Sequence, residues 1–298
     1  MEPAAARAAL TAAFPELEVR SVRRLPGGWD FLTLEVNRRW VFRFPVRPES
    51  EEQIRREFAL LPLIASQVRV PVPEYRFRKE PSGIFRHRFG GYSKLGGIRV
   101  DRAGLSARAL RRAGTELGAS MTEVHDLSRE RAVAAGVPYR DSNGVRRTLR
   151  RWSVRVLAEV RPLLDPADRT YLDVLLEAAA RRELYSFRTV ISHQDLLPVH
   201  VLVDPRTGAL TGLIDWGDGG FGDPALDFAG LGDIPHLGPA MYRAYRGTID
   251  PGFLERADAY RRLAPCHAIL YARATRDPVR RDRSLRRLTR SLRSGTER

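Results

Sequence analysis

Asp195, His200 and Asp215 fall within one acidic stretch, "SHQDLLPVHVLVDPRTGALTGLIDWGDGGFGDPALDF", residues 192–228. The short run "FRTVIS" reads as a strand, so Asp195 belongs to the loop after it. "HVLVD" and "ALTGLID" read as the arms of a hairpin turning at Pro205-Arg206-Thr207-Gly208. A hairpin returns its two ends to one place, so Asp195, His200 and Asp215 should meet at one edge of the molecule. One carboxylate with a nearby ligand group can hold Mg²⁺, which prefers oxygen donors. A second carboxylate, aimed away from the metal, can accept a proton from a hydroxyl. Metal neutralisation, positioning and a base or orienting group are what phosphoryl transfer from a nucleotide requires.

These residues need elements to carry them. Up to about residue 97 the chain reads as short strands around one helix. "LEVRSVRRL" leads to a turn signal at Pro26, Gly27 and Gly28, and the strands "FLTLEVN" and "RRWVFRFP" come next. Alternation in the second puts Trp40, Phe42 and Phe44 on one face, Val41 and Arg43 on the other. "PESEEQIRREFALLPLIA" reads as a helix with Glu51 and Glu52 in its first turn and Ile54, Phe58 and Leu61 as its apolar stripe. "VPVPEYRFRK" and "GIFRHRFGGYSKLGG" supply two more strands, and the sheet ends at Gly96-Gly97. From Ser106 onward helical spacing dominates, with Asp165-Pro166 as a cap and first helical position. The expected fold class is α+β: a small N-terminal lobe with an antiparallel sheet and one main helix, joined to a larger, mostly helical C-terminal lobe.

Composition narrows the classes. The 298 residues suffice for two lobes sharing a core. No apolar run reaches the roughly 18–20 residues of a membrane helix, and the N-terminus has no signal-peptide pattern, so a cytoplasmic protein without a membrane partner is expected. Cys266, the single cysteine, lies in an apolar helical pattern and reads as a buried structural thiol. The net charge of +15 raises the question of nucleic acid. Yet Lys79 and Lys94 are the only lysines, and the arginine excess accompanies abundant Ala, Gly and Pro. That skew reads as genomic base composition, not as a nucleic-acid surface. In the tail, Val279, Leu285, Leu288 and Leu292 partly mark one face of a C-terminal helix whose remainder is arginine and solvated.

"HQDLLPVH…GLIDWGD" resembles the catalytic block of the aminoglycoside and macrolide phosphotransferases, antibiotic kinases with a protein-kinase-like fold. Their pattern is a His-x-Asp loop, an Asn or His five residues after that Asp, and a later Ile-Asp strand end. "WVFRFPVRP", Glu57 in a helix and "VPVPEYR" resemble their small lobe, "GYSKLGG" their inter-lobe segment, and "MTEVHDL" a large-lobe helix end. The resemblance implies a bilobal kinase-like fold, with a nucleotide-binding lobe over residues 1–93 and a catalytic and substrate-binding lobe over 94–298. It implies that Asp195 orients or deprotonates the acceptor hydroxyl, that Asp215 and His200 are metal ligands, and that Asp218 supports them. His193 would brace the loop, Asp227 anchor it, and Asp223 cap the next helix. Arg43 stands where most relatives have a phosphate-holding lysine, with Glu57 as its partner and Val41 as a roof over the base. Ser93, Lys94 and Leu95 would offer backbone groups to the base edge. The sequence departs from the pattern at Gln194, where the family usually has glycine, and in "PGGWDF", a minimal glycine turn.

The expected function is Mg²⁺-dependent transfer of a γ-phosphate from ATP or GTP to a hydroxyl of a small molecule, by a monomer. The acceptor is open among macrolide, aminoglycoside, peptide antibiotic and plain metabolite. Polycationic aminoglycosides need a carboxylate-lined pocket. The later helices offer few acids, chiefly Asp233, Asp250, Glu255 and Asp258, although Glu123, Asp141 or Asp218 could contribute. The rival class is a non-catalytic nucleotide-sensing or nucleic-acid-binding protein on the same scaffold. The intact acidic set argues against it, since a pure binder has no need of Asp195.

Overall fold

Period-two alternation builds the small lobe, and a helix that the alternation does not announce closes it. The computed structural model describes residues 3–25, 30–83 and 85–293; the glycine turn expected at Pro26, Gly27 and Gly28 lies outside them. Helix α1 (Pro3–Ala13) precedes strands β1 (Val22–Arg24), β2 (Phe31–Val36) and β3 (Trp40–Pro45). Helix α2 (Pro48–Ala65) then leads to β4 (Tyr75–Lys79) and β5 (Phe89–Ser93). The sheet is antiparallel throughout, in the order β1-β2-β3-β5-β4. Trp40, Phe42 and Phe44 pack on its outer face with Ala6, Ala9, Leu10 and Phe14 of the N-terminal segment. The spacing of Ala6, Ala9 and Leu10 is helical, and alanine is the strongest helix former. The N-terminal stretch is therefore a lid on the sheet. Val41 and Arg43 face the other way, toward α2, whose Ile54, Leu61 and Glu57 are all buried.

The large lobe begins with β6 (Ile98–Arg99), then α3 (Ala107–His125), α4 (Arg129–Ala134), α5 (Ser142–Glu159) and α6 (Pro166–Ala179). Ser106, Ser128, Asp141 and Asp165 each accept a backbone N–H at the start of one of these helices, satisfying donors that a helix leaves open. The acidic region supplies β7 (Val190–Ser192), β8 (Val201–Val203), β9 (Leu210–Leu213) and β10 (Gly220–Gly222). The expected hairpin is β8 with β9, and β6 joins its edge. β10, three residues with two glycines, carries no alternation to predict it; it pairs antiparallel with β7. Helices α7 (Leu226–Ala229), α8 (Leu237–Ala244), α9 (Phe253–Ala274) and α10 (Pro278–Arg293) complete the chain.

The tail differs from the expected solvated helix. Leu288 and Leu292 are fully buried in a second core shared with α6 and α9, and Leu285 packs beside them. Val279 lies outside the stripe and is 68% exposed. Arg293 pairs with Asp165 and Asp168 at 2.9 Å, fastening the end of α10 to the start of α6. Cys266 is buried in the same core and its thiol is pushed up to about 12, which makes it inert. Among the described residues no helix is long and apolar enough to cross a membrane.

Gly114 and Gly118 let α3 and α8 touch backbone to backbone. A β-carbon at either would fall inside the van der Waals shell of Leu237 O or Met241 O. Because α3 also carries His125 toward the acidic loop, this contact bears on the site. Gly118→Ala is expected to destabilise the protein by about 1–3 kcal/mol through overpacking, even though alanine favours the helix. A shift of the urea midpoint to lower concentration at unchanged slope checks this.

Candidate active site

Arg43 projects from β3 into the gap between the lobes, and its guanidinium forks. Nη1 donates to Glu57 Oε1 at 2.5 Å and Nη2 to Asp215 Oδ1 at 2.7 Å. The Tyr75 hydroxyl holds the other Glu57 oxygen, also at 2.5 Å. The guanidinium lies over the Phe31 ring, 4.0 Å from its centroid. Burial opposes the charge of Arg43, but Glu57 and Asp215 outweigh it and hold the pKa well above the ordinary value. One residue thus joins the sheet, α2 and the strand end after β9.

The hairpin brings the other predicted residues to the same place. Ile214 N donates to His200 O at 3.0 Å, extending the β8–β9 ladder by one step. His200 Nδ1–H donates to the Asp195 carbonyl at 2.7 Å. That bond turns Nε2 toward Asp215 Oδ2, 3.4 Å away, and leaves Nδ1 3.6 Å from Asp195 Oδ2. In the neutral ring Nε2 carries a lone pair, so two acceptors face each other. A second-shell carbonyl that fixes a histidine tautomer is the usual support of a ligating imidazole. Among the described residues no three His, Cys, Asp or Glu side chains gather into a metal cluster. Two ligands suit Mg²⁺, which takes few protein ligands and completes its shell with phosphate oxygens and water. The residues present therefore fit that ion.

Charge at the site is unequally balanced. Burial opposes ionisation of Asp215, yet Arg43 and His200 hold its pKa below the usual carboxylate value. Asp195 has no such cation. Enclosure at the cleft floor, with Asp218, Asp215 and Asp227 around it, pushes its carboxyl up to about 8 although part of the side chain still meets solvent. A bound cation would reverse that trend.

Backbone anchors fix the loop. Asp227 accepts the His193 and Gln194 N–H groups at 2.9 and 2.8 Å, and takes a third bond from His125 Nε2 at 3.0 Å. Tyr245 O–H donates to His125 Nδ1 at 2.7 Å. His193 Nε2–H donates to Ile214 O at 3.0 Å, and its ring packs on Trp216. Asp223 accepts Ala225 N–H at the entry to α7, and is also clamped by the buried Arg256 guanidinium at 2.6 Å. The sequence motifs contain His125 and Asp223, but nothing local announces Arg256, Tyr75, Phe31 or Gln53 as partners in the site. Gln53 Nε2 donates to Asp30 and Asp218, at 3.3 Å each, across the cleft.

The remaining predicted residues are more varied. Val41 is buried on the cleft side of β3, in the core that holds Tyr92 and Val100. Ser93 ends β5 and is exposed. The Lys94 N–H is donated to Arg39 O at 2.8 Å, which removes that donor from the set expected to meet the base. The Lys94 ammonium turns away to Glu35. Leu95 packs against Gly212 of β9.

Gln194 has φ 63° and Asp215 φ 67°, both left-handed. This accounts for glycine at the Gln194 position of the resembling family. The model of the phosphotransferase enzyme family matches residues 21–266. The GDP and kanamycin complex of APH(2″)-IIIa superposes with a TM-score of 0.87 at 27% identity, covering 97% of this chain and 98% of that one. The GDP complex of aminoglycoside 2′-phosphotransferase-IIIa gives 0.86 at 27% identity over 99% and 100%. The apoenzyme of macrolide 2′-phosphotransferase MphH from Brachybacterium faecium gives 0.71 at 26% identity over 94% and 97%. Comparison with curated protein sequences returns no match. The chain belongs to the phosphotransferase enzyme family, with the bilobal kinase-like fold and an alcohol group as acceptor.

A left-handed non-glycine residue costs about 1–3 kcal/mol. Gln194→Gly is therefore expected to keep stability within about 1 kcal/mol, relief of strain offsetting the freer unfolded chain. Gln194→Val should lose about 1–3 kcal/mol, because a β-branched residue fits this region worst. Denaturant midpoints of the two variants check the order.

Proposed function

We propose that the chain transfers the γ-phosphate of a nucleoside triphosphate, with Mg²⁺, to a hydroxyl of a small molecule of antibiotic type. The observation that supports this best is the Arg43 fork meeting Asp215, with His200 between Asp215 and Asp195. The GDP in two related structures supports a guanine nucleotide as donor, and their aminoglycoside and macrolide relatives support an antibiotic-type acceptor.

In this reading residues 1–93 bind the donor and residues 94–298 hold the catalytic groups and the acceptor. Val41 roofs the base, and Ser93 and Leu95 meet its edge. Arg43 presents its fork to the α- and β-phosphates, and Glu57 keeps it extended. Asp195 orients the acceptor hydroxyl and takes its proton as that oxygen bonds to the γ-phosphorus. The bond from the γ-phosphorus to the bridging oxygen breaks, and the nucleoside diphosphate leaves with that oxygen. His200 and Asp215 would hold Mg²⁺, which supplies neutralisation of phosphate charge. Asp218 supports the acceptor side of the loop.

Asp195→Asn is expected to lower turnover by about 10²–10⁴-fold, the usual worth of a positioned base, with nucleotide affinity nearly intact. Turnover near wild type would take Asp195 out of the mechanism. A magnesium titration separates two further groups. His200→Asn exchanges the imidazole nitrogen for an amide oxygen that a hard cation accepts and should be partly rescued by high Mg²⁺, whereas His200→Ala offers no ligand and should not. Arg43→Lys should bind nucleotide weakly at every Mg²⁺ concentration, because an ammonium cannot span Glu57 and a phosphate at once. An Arg43→Lys enzyme indistinguishable from wild type would remove Arg43 as the phosphate clamp.

A further inference from the structure

Helix α10 sorts its arginines by face. Ser284, Leu288 and Leu292 are buried, and the two leucines belong to the core shared with α6 and α9. At 3.6 residues per turn, Arg283, Arg286, Arg287 and Arg290 fall in an arc of about 100° on the side away from that stripe. All four are exposed, and among the described residues none has an ion pair or a side-chain hydrogen bond. The other arginines of the helix are answered. Arg280 meets Asp277 at 3.7 Å, and Arg293 meets Asp165 and Asp168 at 2.9 Å. Asp282 is the only acid in the helix, and Arg281 engages it at 2.9 Å. A skewed base composition would account for the number of arginines in the chain. It does not keep acids away from one face of one helix.

The face is also held still. Arg262 of α9 donates to Ser291 O and Leu292 O at 3.3 and 3.0 Å, beside the Arg293 clamp on α6. At 1.5 Å of rise per residue the four side chains spring from about 10 Å of helix, roughly one charge per 3 Å. A nucleic-acid duplex carries one negative charge per about 1.7 Å of its axis, a rigid line of comparable density. A membrane surface suits the helix less well. An interfacial helix inserts its apolar face among the acyl chains, and here that face is spent on the core. A single strand suits it less well too, because such strands are gripped by aromatic stacking and α10 has no aromatic residue.

We infer that the Arg283, Arg286, Arg287 and Arg290 face of α10 docks on the phosphate backbone of a nucleic-acid duplex, without reading its sequence. Arginine is suited to this, since its planar fork meets phosphate oxygens in pairs. The phosphotransfer reading does not call for such a partner, and neither reading depends on the other.

A fluorescein-labelled DNA duplex of about 20 base pairs, titrated with the full chain from about 0.05 to 0.2 M KCl and followed by anisotropy, tests it. Four phosphate contacts should give a plot of log affinity against log salt with a slope of about −3 to −4. The variants R283Q/R287Q and R286Q/R290Q should each make that slope shallower by about 2 and weaken binding about tenfold or more near 0.1 M salt. R39Q/R76Q removes the same charge from beside Trp40 on the small lobe and should keep both slope and affinity. Urea midpoints show which variants are folded, and either α10 pair carries the test if the other unfolds. No binding at the lowest salt, an unchanged slope in a folded α10 variant, or an equal loss in R39Q/R76Q would overturn the inference. So would tighter binding of phosphatidylglycerol vesicles or of poly-L-glutamate than of the duplex.

Discussion

The Arg43 guanidinium is the contact on which the rest of the site depends. It is buried, so it needs counter-charges, and it takes them from two different parts of the molecule: Glu57 on α2 and Asp215 after β9. Removing one partner from a buried pair typically costs about 3–5 kcal/mol, because the other charge stays desolvated and alone. The fork therefore sets how the small lobe stands over the large one. Its geometry explains the residue type. A planar guanidinium can serve two carboxylates in different directions and still lie over Phe31. A lysine would reach one at a time. Tyr75 extends the arrangement by holding the second Glu57 oxygen, so the carboxylate cannot rotate away.

A basic chain gathers acids here because each of them has a separate task in one small volume. Asp227 commits its oxygens to backbone N–H groups, and Asp223 commits its own to Arg256 and to the entry to α7. Asp215 is paired with Arg43. Asp195 has no carboxylate hydrogen bond among the described residues, and burial, with the neighbouring carboxylates, raises its pKa. The structural acids are satisfied by the fold, whereas the acid nearest the proposed chemistry is left for a ligand to balance. Burying polar groups is tolerable only when their hydrogen bonds are complete, and Asp223 and Asp227 meet that condition without any ligand.

Much of this is legible in the sequence because it depends on local period and short-range closure. Alternation in "RRWVFRFP" separates Trp40, Phe42 and Phe44 from Val41 and Arg43, and the hairpin around Pro205-Arg206-Thr207-Gly208 brings His200 to Asp215. The resemblance adds Glu57 and the inter-lobe segment. What escapes depends on tertiary contact. α1 is helical through its alanines but placed by the aromatic face of the sheet. β10 has too few side chains to show a period. Arg256 and Tyr75 are ordinary residues until the fold sets a buried carboxylate beside them. Lys94 reads as an inter-lobe residue free to meet the base, yet its N–H completes the β3–β5 ladder, a detail of register that a single strand cannot disclose.

Two of the left-handed non-glycine residues, Gln194 and Asp215, lie in the site. Neither Gln194 nor Asp215 is a glycine, and each flanks a backbone group that is firmly held. The Gln194 N–H is fixed by Asp227, and Ile214, just before Asp215, is fixed through both its N–H and its carbonyl. The conformations persist because these neighbours over-determine them. The Asp195 and Asp215 carboxylates lie at the two ring nitrogens of His200, at 3.6 and 3.4 Å. Strain accepted once, during folding, leaves the carboxylates already aimed when a substrate arrives. Polar groups held in place beforehand need no reorganisation at the moment of reaction, which is where preorganised electrostatics exceed what water can offer.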